Sequence, residues 1–319
     1  TFKNYNIPLS SSYWCFSNGV TWSLFDYNLK KKKYFSDAIK LINDENFDTL
    51  HSFGGYDESN GKKITRTLIK KALKILNDNK LKTKIYTNHG GSNDKQNIGG
   101  DIPVYQMGDM KNSKYYNLDL LLEYGINFFW TDDDYDNILP VKKINQDFSN
   151  SLIKPHLTRD GSNILRFSRF RGNFGTKKAP TINNFHEQIK YVVSNTDSGF
   201  SIIYQHLGCN RLQDNSILPV SNLKNHNLEK TLMILEKKQK SGELIITTTQ
   251  KLLMYAIINY FKCWNLSEFK DSIDIFLHDK VKVFNNQINL NESDYRGWFI
   301  KTKKEKSYNV FFKKKKISI

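Results

Sequence analysis

At 319 residues, with 39% hydrophobic and 13% aromatic content, the chain can build a sizeable core and is too apolar to be a disordered polymer. Its formal charge of +16 raises nucleic acid as a partner, but only seven of its 48 basic residues are Arg, the type that makes bidentate base and phosphate contacts, and no nucleic-acid-binding motif is present. Nucleic acid is therefore not an expected partner, a lysine surface that draws anionic glycans is, and no apolar run is long enough for an integral membrane segment.

In chain order, residues 20–26 (VTWSLFD) read as a β-strand ending in polar residues, and 35–43 as a short helix. Residues 47–53 (FDTLHSF) form a second strand that runs into Gly54-Gly55. The apolar spacing of Ile64, Leu68, Ala72, Ile75 and Leu76 predicts a helix. A third strand, 82–87 (KTKIYT), leads straight into Asn88-His89-Gly90-Gly91. A helix over 116–124 stops at Gly125, and a fourth strand, 126–131 (INFFWT), leads into Asp132-Asp133-Asp134. Residues 137–163 read as polar and irregular, and 164–170 as a strand. Beyond a helix at 185–193 come an apolar strand at 200–205 (FSIIYQ) ending at His206, a helix at 227–240 closed by Gly242, a strand at 243–247 and a helix at 250–260.

Strand–helix alternation at this spacing means parallel βαβ units, whose active sites sit at the C-terminal ends of the strands. Asp26, His51, His89, Asp132 and His206 each follow a strand in this way and are expected to converge. After Tyr260 the pattern changes to short strands at 272–277, 286–291, 296–302 and 308–312, so a boundary is expected near 265, with 266–319 a small β-rich appendage. The Lys313–Lys316 run reads as a solvated edge strand. Three widely spaced cysteines, Cys15, Cys209 and Cys263, read as free thiols and, with no visible signal peptide, point to a reducing, cytoplasmic compartment.

The element order resembles the polysaccharide deacetylase family, the metal-dependent de-N- and de-O-acetylases of chitin, peptidoglycan and surface glycans. The resemblance covers roughly residues 18–260 and rests on order and spacing. Leu24-Phe25-Asp26-Tyr27-Asn28 stands where the family has Thr-Phe-Asp-Asp-Gly, and His89-Gly90-Gly91-Ser92-Asn93 stands where it has two His four residues apart. Ile202 to His206, the following helix, Gly242 and the stretch 245–253 match its last motif.

The resemblance implies a distorted (β/α) barrel of seven or eight strands that hydrolyses acyl groups on a surface polysaccharide or its precursor. It implies Asp26 as general base and His206 as general acid. Tyr27 and Asn93 stand in place of two family metal ligands. Either a divalent site, zinc by preference, is rebuilt from His51, His89, Asp26 and Asp94, or there is no metal. In the rebuilt site Asp94 or one of Asp132–Asp134 supplies the base.

Asp132 and Asp133 form a carboxylate cluster suited to acid/base work, or in the plainer reading a helix cap with solvated neighbours. Asn88, Asn93 and Trp130 are candidate sugar contacts. Arg169 and Arg171, near Arg166, could orient a carboxylate or grip an anionic substrate, or simply face outward from a strand. Two competing readings are a metal-independent glycoside hydrolase using Asp26 with one of Asp132–Asp134, and a catalytically inactive barrel that binds glycan.

Overall fold

In the computed structural model the described residues are 2–17, 23–54, 64–88, 94–99, 106–131, 152–170, 182–194, 200–204, 226–283, 286–297 and 306–317. The chain divides into two units, Thr1–Gln250 and Lys251–Ile319.

The first unit is mixed α/β. In order it contains β1 (Ser11–Phe16), β2 (Ser23–Phe25), α1 (Phe35–Asn43), β3 (Phe47–His51), α2 (Arg66–Asp78), β4 (Ile85–Thr87), α3 (Leu118–Tyr124), β5 (Phe128–Trp130), β6 (Ile153–Leu157), β7 (Asn163–Phe167), α4 (Ile182–Ser194), α5 (His226–Lys240) and the start of α6 (Thr249–Tyr260). The strands form one seven-stranded sheet in the order β2-β1-β3-β4-β5-β7-β6. All neighbours in it are parallel except the β6–β7 hairpin. Among the described residues the sheet does not close on itself, although Phe170 makes one further parallel bridge to Ile203.

Register explains how the sheet is covered. Tyr13, Leu50, Tyr86 and Phe129 stand side by side across β1, β3, β4 and β5. They enter the main core with the buried stripes of α1 (Ala38, Ile42), α2 (Ile69, Ala72, Leu73, Leu76) and α3 (Leu118, Leu121, Tyr124). Those stripes repeat at three or four residues, the spacing that keeps one helix face on the sheet. Helix α3 ends at Gly125, whose φ of 105° is the left-handed conformation a helix stop needs.

Several elements of the first unit differ from the sequence reading, among them the strand expected at 200–205, whose described residues 200–204 make only isolated bridges. Strand β1 was not anticipated; it lies between β2 and β3, so β2 becomes an edge. Residues 137–163 read as irregular, yet 153–157 form β6, an edge strand that tolerates Pro155 because the absent N–H has no ladder partner to lose. Its turn is held by Asp160, whose Oδ1 accepts from Thr158 Oγ1 at 2.7 Å and Ser162 N at 2.9 Å. Residues 243–247 form no strand: Leu244 and Ile246 pack against the Phe185–Leu232 cluster while Ile245 is 67% exposed.

The second unit holds most of α6, then β8 (Trp264–Glu268), β9 (Ser272–Leu277), β10 (Lys280–Val283), β11 (Asn286–Asn289), α7 (Glu292–Tyr295), β12 (Ser307–Phe312) and β13 (Lys315–Ile317). Its four-stranded sheet runs β13-β12-β9-β8, and β10–β11 form a separate hairpin. Lys315 and Lys316 lie in edge strand β13, the place where Lys discourages pairing with other chains. Tyr295 anchors α7: its buried hydroxyl reaches the carbonyls of Cys263 at 3.0 Å and His278 at 2.8 Å. Residues 292–295 are therefore helical just before the strand expected at 296–302, of which 298–302 lie outside the described residues. Among the described residues no helix is long and apolar enough to cross a membrane.

Candidate active site

The face of the large sheet opposite α1–α3 carries a second row at the C-terminal strand ends. His51 pairs in register with Thr87, and Thr87 with Trp130. Trp14 joins the row from β1, its ring stacked on the His51 imidazole with centroids 4.5 Å apart and planes 17° apart. Ser12, two residues before Trp14, places Oγ 3.0 Å from His51 Nδ1. At the other end Arg169 lies over Trp130, 3.2 Å from its ring centroid, and over Tyr204 at 3.6 Å. A guanidinium between two aromatic faces keeps its charge while its plane is fixed. Arg166 stands elsewhere: it is buried on β7 in the register of Phe129, on the helix-covered face, with Nη1 3.3 Å from His156 Nδ1.

Asp26 follows β2 and closes its own turn. Its Oδ1 accepts from Asn28 N and Lys30 N, both at 2.9 Å, and Leu29 within the turn has φ 66°. Ser23 is level with Trp14, so Asp26 lies three residues, or about 10 Å, further along the strand direction than His51 and about 10 Å across two strand spacings. The two side chains do not meet.

Asn88 follows β4 directly and is 1% exposed. Its amide holds the loop behind the row: Nδ2 donates to Ile98 O (2.8 Å) and Thr131 O (3.1 Å), and Oδ1 accepts from Ile98 N (3.0 Å). Those groups of Asn88 are thus engaged within the chain. Asp94 is buried beside Tyr86; burial and then the Asp94 charge push the Tyr86 hydroxyl well above its ordinary pKa. Residues 206, 89, 93, 132, 133 and 171, the positions of His206, His89, Asn93, Asp132, Asp133 and Arg171, lie outside the described residues.

Residues that sequence reasoning did not single out build the scaffold. Gln96 clamps the turn after β3, accepting from Phe53 N at 3.0 Å and donating to Gly54 O at 2.7 Å. Asn117 donates to Gln96 O at 2.7 Å and to Tyr115 O at 2.9 Å. Asp109 takes N–H groups from Gly99, the Arg159 backbone and the Arg159 guanidinium. Amides and a carboxylate within polar loops are the sequence signal for such a clamp, but the partners lie tens of residues apart.

Among the described residues no three His, Cys, Asp or Glu side chains gather closely enough to hold a metal ion. His51 offers one imidazole, and neither Asp26 nor Asp94 is shown beside it. The described part of the site does not by itself fit a divalent ion, and the candidate set depends on His89. Cys15 and Cys263 are free and buried, with burial raising both thiols, Cys263 to about 12. That makes them packing residues and not nucleophiles. Comparison with protein-family models, curated proteins and solved structures returns no match.

Proposed function

We propose that this chain is a carbohydrate-directed hydrolase that removes an N- or O-acyl group from a surface polysaccharide or its precursor. On this reading the seven-stranded sheet is the described part of a distorted (β/α) barrel of the polysaccharide deacetylase type. The observation that supports it is the row Trp14, His51, Thr87, Trp130 and Arg169 along the C-terminal ends of parallel strands. Parallel α/β folds place their chemistry at this edge. The row combines an oriented imidazole with a permanent cation, groups suited to proton transfer and to stabilising a developing oxyanion.

In this reading Arg169, fixed between Trp130 and Tyr204, supplies positive charge beside the scissile acyl group. His206 protonates the leaving group, and Asp132 or Asp133 takes the proton from the attacking water. Asn93 and Arg171 contact the sugar. We propose as cofactor a divalent ion, zinc by ligand chemistry, that His51 and His89 would hold; two imidazoles leave it one protein ligand short, so a further donor is required.

The test is an acyl-release assay on N- and O-acetylated glycans with elemental analysis of the purified chain. The expected result is acetate release, about one divalent ion per chain, and loss of both in His51→Ala and His89→Ala. Glycosidic cleavage by metal-free protein would replace this reading with a glycoside hydrolase. Glycan retention without turnover would replace it with a binding barrel.

A further inference from the structure

We infer that strand β8 is an interface between two copies of this chain, pairing antiparallel with its own counterpart across a twofold axis at Leu266. The inference concerns the second unit alone and is independent of the proposed hydrolase activity.

Among the described residues strand β8 is one edge of the sheet β13-β12-β9-β8. Its ladder with β9 fixes which backbone groups face outward. His278 N donates to Cys263 O at 3.0 Å, and Phe269 N donates to Ser272 O at 2.8 Å. In an antiparallel pair, residues that exchange hydrogen bonds alternate with residues that do not, so 263, 265, 267 and 269 turn their N–H and C=O toward β9. Leu266 therefore directs both of its backbone groups away from the sheet, as a template for a further strand.

The side chains fit a second copy there. Ile317, Val310, Ile275 and Leu266 form one rung across the four strands. Val310 and Ile275 are buried, but Leu266 at the end of the rung is 60% exposed. A second β8 laid antiparallel about Leu266 sets the two leucines side by side and continues the rung into the same rung of the other copy. Leu266 is the midpoint of Trp264–Glu268, so this register pairs all five residues. It sets Asn265 opposite Ser267 and Trp264 opposite Glu268, with no like charges opposed within the strand. Moving the axis to Glu268 would oppose two carboxylates. Moving it to Trp264 would run the pair into the turn at Lys262, whose O accepts from Trp264 N at 2.7 Å.

Charge favours the same occupant. The chain carries a formal +16, and Lys315 and Lys316 guard the opposite edge, β13. Residues 263–269 contain no Lys or Arg, and their one acid, Glu268, is held by Lys306 Nζ at 2.7 Å. Of the two edges of this sheet, β8 is thus the one where two copies meet with less repulsion. Lys262 and Lys270 border the strand and oppose each other at the ends of the pair, so association strengthens with added salt.

The experiment is sedimentation velocity of the full chain over a range of protein and salt concentrations. The expected result is a one-chain mass in dilute protein that moves to a two-chain mass as protein and salt rise. Leu266→Pro removes the outward N–H without touching the β9 ladder, and Leu266→Lys opposes like charges; both should stay at the one-chain mass with unchanged far-UV circular dichroism. Cysteine cross-linking tests the register. Opposed residues of a hydrogen-bonded pair have Cα atoms about 5.5 Å apart, so Leu266→Cys should form an intermolecular disulfide on mild oxidation. Asn265→Cys, diagonal to its counterpart at about 7–8 Å, should not. A wild type that stays one chain under all conditions, a two-chain species that survives both Leu266 substitutions, or equal cross-linking at the two positions overturns the inference. Should the proline and lysine variants misfold, the cysteine pair decides.

Discussion

Asp109 and Arg159, fifty residues apart in sequence, form a clamp in which a carboxylate with no exposed side-chain surface receives the Nε and Nη2 sides of one guanidinium. The same carboxylate accepts from Gly99 N at 3.1 Å and Arg159 N at 3.1 Å, and the guanidinium also reaches Gln106 O. One residue thus ties the loop after β4, the segment before α3 and the β6–β7 turn together. Removing a partner from a buried pair costs about 3–5 kcal/mol, and the Arg159 side chain is 39% exposed, so solvent recovers part of that loss. Asp109→Ala should therefore lower stability by about 2–4 kcal/mol. Urea denaturation measures this as a lower midpoint at unchanged slope; a loss below about 0.5 kcal/mol would mean the clamp is incidental.

Gly108 sits beside that clamp with no room for a side chain. A Cβ there would run into Gln96 O and lie 2.8 Å from Asn97 O, both backbone atoms that cannot rotate away. Gly108 N also donates to Asn97 O at 2.8 Å, and Gly108 O accepts from Asn117 N. Gly108→Ala should cost about 1–3 kcal/mol, the range for overpacking, and should loosen the Gln96 contacts to Phe53 and Gly54. Faster amide exchange at Phe53 in the variant is the specific sign. Unchanged exchange with lowered stability would place the strain elsewhere.

The parallel strand–helix alternation was legible because β3, β4 and β5 are short apolar runs that end in polar residues or glycine, and because α1–α3 carry helical stripes. The place of His51 at the end of β3 was legible for the same reason. Strand β1 was not, since the three serines at its start, Ser10 just before it and Ser11 and Ser12 within it, hide the alternation. With β1 went Ser12 and Trp14, the two residues that hold His51. Asn88 read as a sugar contact because it stands at a strand end, but sequence does not tell whether an amide faces a cavity or a backbone. The resemblance drew Asp26 toward the centre by motif position. Register moves it away, because β1 intervenes and Asp26 Oδ1 caps its own turn.

Arg169 tests whether the aromatic sandwich acts through shape or through charge alone. Lys would keep the charge but lose the planar contact with Trp130 and Tyr204. Each desolvated cation–π contact contributes about 0.5–2 kcal/mol, so Arg169→Lys should lose about 1–2 kcal/mol of stability. A loss of that size in transition-state binding would correspond to about tenfold in kcat/KM for the acyl release proposed above. Full retention of both by the lysine variant would show that a positive charge at this strand end is enough.

Asp48 gives a pH prediction whose sign can be worked out. Its side chain is almost wholly buried at the N-terminal end of β3, and burial raises its pKa from near 3.8 to about 6, against the lowering effect of hydrogen bonds from Gln250 N, Ser10 and Thr49. Ser10 Oγ in turn accepts from Thr249 N at 2.6 Å, so Ser10 and Asp48 together cap the first turn of α6. The folded chain holds this proton more tightly than the unfolded one. Its contribution is therefore fully present below about pH 4 and is lost as pH rises through about 6. The displacement corresponds to about 3 kcal/mol. Stability measured by urea midpoints from pH 4 to 7 should carry this downward component in the wild type, and Asp48→Asn should remove it. Parallel curves for the two proteins would show that Asp48 titrates near its ordinary value, and that the helix N-terminus offsets the cost of burying its charge.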